Sequence, residues 1–187
     1  MNIILFGPPG AGKGTQSRYL LKKLNCFQIS TGDMLRDEIK RDSEVGKKIT
    51  QDMNEGKFVN DEIVNKLIKN VVFDTEKKNR LIFDGYPRSL SQAKNLDLLI
   101  ESSNQKIDFI FFLNVNKDTI MKRIEKRKVL EKRLDDDSST ILRRYDTYME
   151  TTRPVLDFYS KNQNFHEIDG TLEIQEITRK IDTFINV

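Results

Sequence analysis

The chain opens on a short apolar run, Asn2-Ile3-Ile4-Leu5-Phe6, which passes at once into Gly7-Pro8-Pro9-Gly10-Ala11-Gly12-Lys13-Gly14-Thr15. No other stretch constrains the fold as tightly. A buried strand that turns through glycines into a helix is the first half of a βαβ unit, and the G-x-x-x-x-G-K spacing from Gly7 to Lys13 is that of a phosphate-binding loop. Gly7, Gly10 and Gly12 lack a Cβ, so the backbone can curl and aim successive N–H groups at phosphate oxygens. The helix that follows adds its unpaired first-turn amides and the positive end of its dipole. Lys13 brings a mobile cation. The hydroxyl usually found directly after the lysine is displaced by one position, with Gly14 next and then Thr15. These residues predict binding of a nucleoside triphosphate.

Four further apolar runs read as strands: Phe27–Ser30, Arg80–Asp84, Ile107–Asn114 and Phe165–Asp169. They are near-continuous, the signature of strands covered on both faces of a parallel sheet. Helical periods lie between them. Ile63, Val64, Leu67, Ile68, Val71 and Val72 mark one apolar face, Leu90, Ala93, Leu96, Leu99 and Ile100 a second, Ile120, Met121 and Ile124 a third. Ile141, Tyr145, Tyr148, Met149, Thr152, Leu156 and Tyr159 trace one long helix, with Asp137 or Ser138 as N-cap and a bend at Pro154. A last helix shows Ile174, Ile177, Ile181 and Phe184. Strands alternating with helices predict an α/β fold, a doubly wound, five-stranded parallel sheet flanked by helices. Two stretches exceed simple crossovers. Thr31 to Val72 holds about three helical pieces, and Lys128 to Asp137 is a charged, turn-prone interruption; both are candidate mobile inserts over a site at the carboxyl ends of the strands.

At 187 residues one domain is expected over 1–187. The 32 basic and 29 acidic residues nearly cancel, leaving +3, which argues against a nucleic-acid footprint. Cys26 is the single cysteine, so an intrachain disulfide and a cysteine-based zinc cluster are excluded, and a buried structural thiol is expected. His166, the single histidine, falls in a late strand, away from any catalytic motif. No apolar run reaches the ~18 residues of a membrane span. With a core strand at the first residues no signal peptide is expected, and the reading is a cytoplasmic monomer.

The strand Leu81-Ile82-Phe83-Asp84 runs into Gly85-Tyr86-Pro87-Arg88. An acid at a strand tip beside a phosphate loop is placed to hold Mg²⁺, directly or through water. Taken together, Gly7 to Thr15, Ser30-Thr31-Gly32-Asp33-Met34-Leu35-Arg36 and Asp84-Gly85-Tyr86-Pro87-Arg88 resemble the three signatures of the adenylate kinase family, and the similarity extends through Asp169-Gly170-Thr171. Gly14 with Thr15 is that family's usual form of the loop.

The resemblance implies the P-loop NTPase fold, with an acceptor-binding insert over 30–59 and a short lid over 127–137. It implies reversible, Mg²⁺-dependent transfer of a phosphoryl group from ATP to AMP, giving two ADP. On the ATP side it assigns Gly10, Ala11, Gly12, Lys13, Gly14 and Thr15 to the phosphates. Arg123 covers the ATP base, Arg127 reaches the phosphates, and Gly170, Thr171 and Leu172 complete that side. On the AMP side it assigns Arg36 and Arg88 to the phosphate, Thr31, Gln92 and the Lys57-Phe58-Val59 segment to the base, and Gly85 to the same nucleotide. Arg133 and Arg144 complete a ring of arginines, Asp135 and Asp136 are hinge acids, and Asp33 and Asp84 organise Mg²⁺ and its waters. Lys13, Arg88, Arg123, Arg127, Arg133 and Arg144 are the catalytic set.

Only Lys128-Val129-Leu130-Glu131-Lys132 separates Arg127 from Arg133. Long-lid relatives carry a larger insertion that sometimes binds zinc, so no zinc is expected here. The short form is shared with uridylate/cytidylate kinases. Thr31 and the Ser89-Leu90-Ser91-Gln92 segment after Arg88 favour AMP over a pyrimidine acceptor. A nucleotide-dependent switch or nucleic-acid-binding module would account for the phosphate loop alone, but neither needs acceptor-side arginines such as Arg36 and Arg88.

Overall fold

A computed structural model describes residues 1–55, 57–131 and 138–185. Five strands, β1 (Ile3–Phe6), β2 (Phe27–Ser30), β3 (Leu81–Asp84), β4 (Phe109–Asn114) and β5 (Phe165–Asp169), form one sheet in the order β2-β3-β1-β4-β5. Every pairing is parallel. The strands match the apolar runs of the sequence to within two residues.

Side chains along each strand alternate between two cores, as the two-residue period of a strand requires. Ile4, Phe6, Ile29, Phe83 and Ile110 point into one core, and Ile3, Leu5, Ile82, Phe111 and Leu113 into the other. The first core is closed by helices α2 (Thr31–Lys40), α3 (Glu44–Asn54), α4 (Asp61–Val72), α5 (Leu90–Ser102) and α8 (Arg153–Tyr159). The second is closed by α1 (Lys13–Leu24), α6 (Lys117–Glu131), α7 (Ser138–Thr147) and α9 (Ile174–Ile185). Because all five strands run the same way, Gly7, Thr31, Gly85, Val115 and Gly170 all follow strand ends at one rim of the sheet. That rim carries the site.

Several local expectations change. The long helix over 138–159 is interrupted by a π-type turn at Tyr148–Thr152. Pro154 has no N–H to give, so the ladder misses a bond there, and just before it the Arg153 N–H reaches back five residues to the Tyr148 carbonyl before α8 continues to Tyr159. In α9 the buried stripe is Ile177, Ile181 and Ile185, while Ile174 and Phe184 are exposed. Ile174 instead borders the cleft, and Phe184 stacks on His166 at 4.0 Å between ring centroids. Leu90, the first residue of α5, is exposed as well. The expected interruption from Lys128 is helical as far as Glu131, because Lys-Val-Leu-Glu is a run of helix-compatible residues with no glycine or proline. Lys132 to Asp137 lie outside the described residues, and with them Arg133, Asp135, Asp136 and the Asp137 cap. No helix among the described residues is long and apolar enough to cross a membrane.

Candidate active site

Four of the helices around the acceptor side begin with a side-chain cap: Ser30 on α2, Ser43 on α3, Asn60 on α4 and Ser89 on α5. Helix α1 has none, and no acid stands in its first turn. Its N-cap is Gly12, at φ 97°. An added Cβ there would meet no atom within 4 Å, so the left-handed backbone, not space, demands glycine. The first-turn amides and the dipole of α1 are left to a ligand anion. The Lys13 ammonium donates to the carbonyls of Gly7 at 2.7 Å and Pro8 at 3.1 Å, which holds it over the loop.

The loop forms one wall of a cleft of about 510 Å³. Gly10, Ala11, Gly12, Gly14 and Thr15 border it together with Asp33, Arg36, Asp84, Gly85, Arg88, Arg123 and Arg144. Lys13, Arg18, Arg36, Arg88, Arg123, Lys126 and Arg144 face Asp33 and Asp84 alone among the charged residues of that lining. A chain of near-balanced charge thus concentrates cations at one place, as a polyanionic ligand requires. Arg123 bridges the cleft's far edge, donating to the Ala11 carbonyl and the Leu172 carbonyl, each at 3.4 Å. Leu172 therefore meets the edge of the cleft through its backbone. Gly170 and Thr171 stand further back: the Gly170 N–H donates to Asn114 O, and Thr171 closes a turn on the Asp169 carboxylate.

A second, narrower bay opens from the same cleft. Thr31, Arg36, Lys57, Phe58, Val59, Arg88, Gln92 and Arg144 all border it, so the AMP-side residues named by resemblance are brought together, with Gly85 beside them. Gly32, Leu35, Met53 and Val64 also line it; Gly32 and Leu35 belong to the second signature and Val64 to a helical apolar face, but none of the four was assigned to the site from the sequence. Leu35 is one helical turn beyond Thr31 and could have been found by that spacing; Met53 and Val64 are delivered by packing. Lys57 pairs with Glu55 at 2.6 Å, and its aliphatic stem is what the bay can use.

Arg88 sits where bay and cleft meet. Its Nε donates to the Gly85 carbonyl at 2.6 Å, and its guanidinium lies 5.3 Å from the Phe58 ring centroid. Burial pulls its pKa down to about 10, Arg144 and Arg36 push the same way, and Asp84 opposes them. A cation so disfavoured is matched to an incoming anion.

The acids fit a hard cation. Asp84 ends β3, and a Cβ added to Gly14 would lie 3.7 Å from its Oδ2, which places the carboxylate against the first turn of α1. Gln28 of β2 orients it by donating to the same Oδ2 at 2.9 Å, a contact the sequence did not reveal. Asp33 accepts from Arg36 at 2.6 Å and borders the same cleft as Thr15. Carboxylate oxygens and a hydroxyl beside a phosphate loop are the donor set of Mg²⁺. No cluster of three His, Cys, Asp or Glu ligands is found among the described residues.

Cys26 and His166 lie elsewhere. Burial pushes the Cys26 thiol up, away from the reactive thiolate, and lowers the His166 pKa beside Phe109, Phe111 and Phe184. Arg127 is on α6, one turn after Arg123.

A phosphate loop on a parallel sheet, a cationic cleft and an adjoining narrower bay that shares its arginines define the class of a P-loop phosphotransferase. The chain matches the adenylate kinase family model over residues 5–164. It is 47% identical to the adenylate kinase of Pelagibacter ubique, with all of both chains covered. It is 40% identical to that of Bartonella tribocorum over the full length of both, and 40% identical to that of Mycoplasma mycoides over 90% of this chain and 91% of the relative. The chain belongs to the adenylate kinase family, and it is an enzyme.

Proposed function

We propose that the cleft takes ATP and the narrower bay takes AMP, so that their phosphates meet over Arg88. The reaction is reversible phosphoryl transfer from ATP to AMP, giving two ADP. The observation that carries the division of labour is the shared wall: Gly32, Arg36, Arg88 and Arg144 border both cavities. Two polyanions can approach only if cations stand between them.

AMP needs no general base, since its phosphate is already largely ionised at neutral pH, with a second pKa near ~6. Positioning and charge stabilisation supply the catalysis. The Gly10–Thr15 backbone and Lys13 hold the ATP phosphates, and Arg36 and Arg88 hold the acceptor phosphate. Arg123 spans from the loop to Leu172 and covers the donor. Asp84, with Asp33 and Thr15 nearby, would hold Mg²⁺ and its waters; the ion, when bound, neutralises charge on the donor phosphates. Arg144 stands in the wall shared by both cavities, and the resemblance assigns Arg127 and Arg133 to the same arginine ring; closure of the acceptor insert and the lid over the site would exclude water.

For the base, Thr31 is informative. Its hydroxyl donates to the Gly85 carbonyl at 2.8 Å, so its oxygen is left only to accept. An acceptor suits the 6-amino group of adenine and repels the O4 carbonyl of uracil; the 4-amino group of cytosine would satisfy it too, so CMP is disfavoured by the Gln92 contacts that its smaller ring leaves unmade. With Mg²⁺–ATP saturating, kcat/KM for AMP exceeds that for UMP and CMP by about 10² or more. Thr31→Ala narrows the gap and leaves the ATP KM alone. Equal turnover of UMP or CMP by the unmodified protein would replace this reading with a pyrimidine nucleotide kinase.

A further inference from the structure

Gln92 is the base reader whose orientation matters most, because a primary amide presents opposite patterns when turned over. Its oxygen accepts and its nitrogen donates. Adenine offers an acceptor at N1 beside a donor at the 6-amino group. The 6-oxo purine of IMP has the same outline with the two reversed. A freely turning glutamine would therefore pair with either, and Gln92 by itself specifies neither.

The structure removes that freedom. Gln92 is 2% exposed, on the first turn of α5. Its Oε1 accepts from the backbone N–H of Arg88 at 2.7 Å, and its Nε2 donates to Asp61 Oδ1 at 2.6 Å. A backbone N–H can only donate and a carboxylate can only accept, so the chemistry of the two neighbours fixes which end is which. Turning the amide over would face N–H to N–H at Arg88 and oxygen to carboxylate at Asp61. What remains for a ligand is one donor on Nε2 and one acceptor on Oε1, in a fixed order.

Asp61 is itself held. Its other oxygen, Oδ2, accepts from the Ser89 hydroxyl at 2.8 Å, and Ser89 is the N-cap of α5, accepting from the Gln92 N–H at 3.1 Å. The first residue of α4 is thus tied to the first turn of α5, the two helices that carry Val64 and Gln92 to the bay. Nothing in the three signature motifs points to Asp61, which lies between them.

We propose that Asp61 is a specificity-determining positioning residue: it locks the Gln92 amide in the orientation that reads adenine and rejects a 6-oxo purine. It touches no substrate and acts through Gln92. This rests on the reading that Gln92 faces the acceptor base.

The test is kcat/KM for AMP and for IMP, with Mg²⁺–ATP saturating, in the unmodified enzyme, Asp61→Asn, Asp61→Ala and Gln92→Ala. The unmodified enzyme prefers AMP by about 10² or more. Asp61→Asn keeps the volume but lets either end of the amide find a partner, and Asp61→Ala removes the lock. In both, the AMP/IMP ratio narrows by about tenfold, with the ATP KM within twofold, which serves as the check on folding. The Gln92 side-chain NH₂ resonances report the lock without turnover, exchanging slowly in the unmodified protein and faster in both variants. If the Asp61 variants lose AMP and IMP turnover in equal proportion, or keep the original ratio, Asp61 is structural and the proposal is wrong. If Gln92→Ala keeps the ratio, Gln92 does not read the base and the underlying assignment fails with it. Collapse of the ratio in Gln92→Ala alone overturns the role of Asp61 and leaves that assignment standing.

Discussion

Gly46→Ala is the substitution for which packing and propensity disagree most clearly. Gly46 is the third residue of α3, where α3 crosses α2 after the short turn at Arg41-Asp42-Ser43. Propensity alone favours alanine by about 1 kcal/mol in a helix. Space does not. An added Cβ would stand 2.2 Å from the Glu38 carbonyl oxygen, 2.6 Å from its carbon and 2.9 Å from the Ile39 Cα. All three are backbone atoms, so no side chain can swing away. The same carbonyl accepts the Ser43 N–H that closes the turn. Helix α3 would have to back off α2 by about 1 Å to restore ordinary contact. Overpacking of this kind costs about 1–3 kcal/mol, and rigid neighbours put it at the upper end. Set against the propensity gain, the net loss is about 2 kcal/mol, or a fall in Tm of about 4–8 °C for a chain of this size. The functional damage should be one-sided. α3 delivers Met53 and leads into Lys57–Val59, so displacement of about 1 Å at the bay wall raises the KM for AMP by tenfold or more, while the ATP KM changes less than twofold. Thermal unfolding and steady-state kinetics with each nucleotide varied in turn measure both. A variant as stable as the parent, with an unchanged KM for AMP, would refute the packing argument.

Arg127→Ala lowers kcat and kcat/KM together by about 10² or more with the fold intact, the pattern of a transition-state contact; a rise in KM alone would make Arg127 a ground-state ligand. Arg88→Met lowers kcat/KM for AMP by about 10² or more yet leaves Tm unchanged or higher, because it removes a half-buried, poorly solvated cation facing Arg144 and Arg36, and the Gly85 carbonyl keeps the Thr31 hydroxyl as donor. Burial makes the folded chain hold this proton less tightly than the unfolded chain, so the cost of the cation is present in full at neutral pH and is lost only at strongly alkaline pH, and a bound acceptor phosphate opposes the shift. A drop in Tm on Arg88→Met would show that its contacts with Gly85 and Phe58 outweigh its burial.

The five strands and the phosphate loop were legible in the chain because each is a local property, and the parallel arrangement followed from helices alternating with strands apolar on both faces. Four to eight apolar residues covered on both faces can form little else, and glycine spacing sets a loop without help from distant residues. The acceptor motifs were legible by resemblance, and the structure brings Thr31, Arg36, Lys57 to Val59, Arg88 and Gln92 to one bay. Other features depend on which atoms meet. The π-type turn at Tyr148–Thr152 replaces a simple bend, the Arg153 N–H reaching back to the Tyr148 carbonyl just before Pro154 leaves the ladder a bond short. Ile174 and Phe184 fit the helical period of α9 but lie off the face that the sheet covers, and Ile185 takes the buried place. Gln28 behind Asp84 and Asp61 behind Gln92 lie 56 and 31 residues away in sequence. Periodicity reports which face of an element is apolar. It carries no information about which donor will meet which acceptor across the sheet, and that pairing, settled only when strands and helices pack, fixes the orientation of the groups that face the nucleotides.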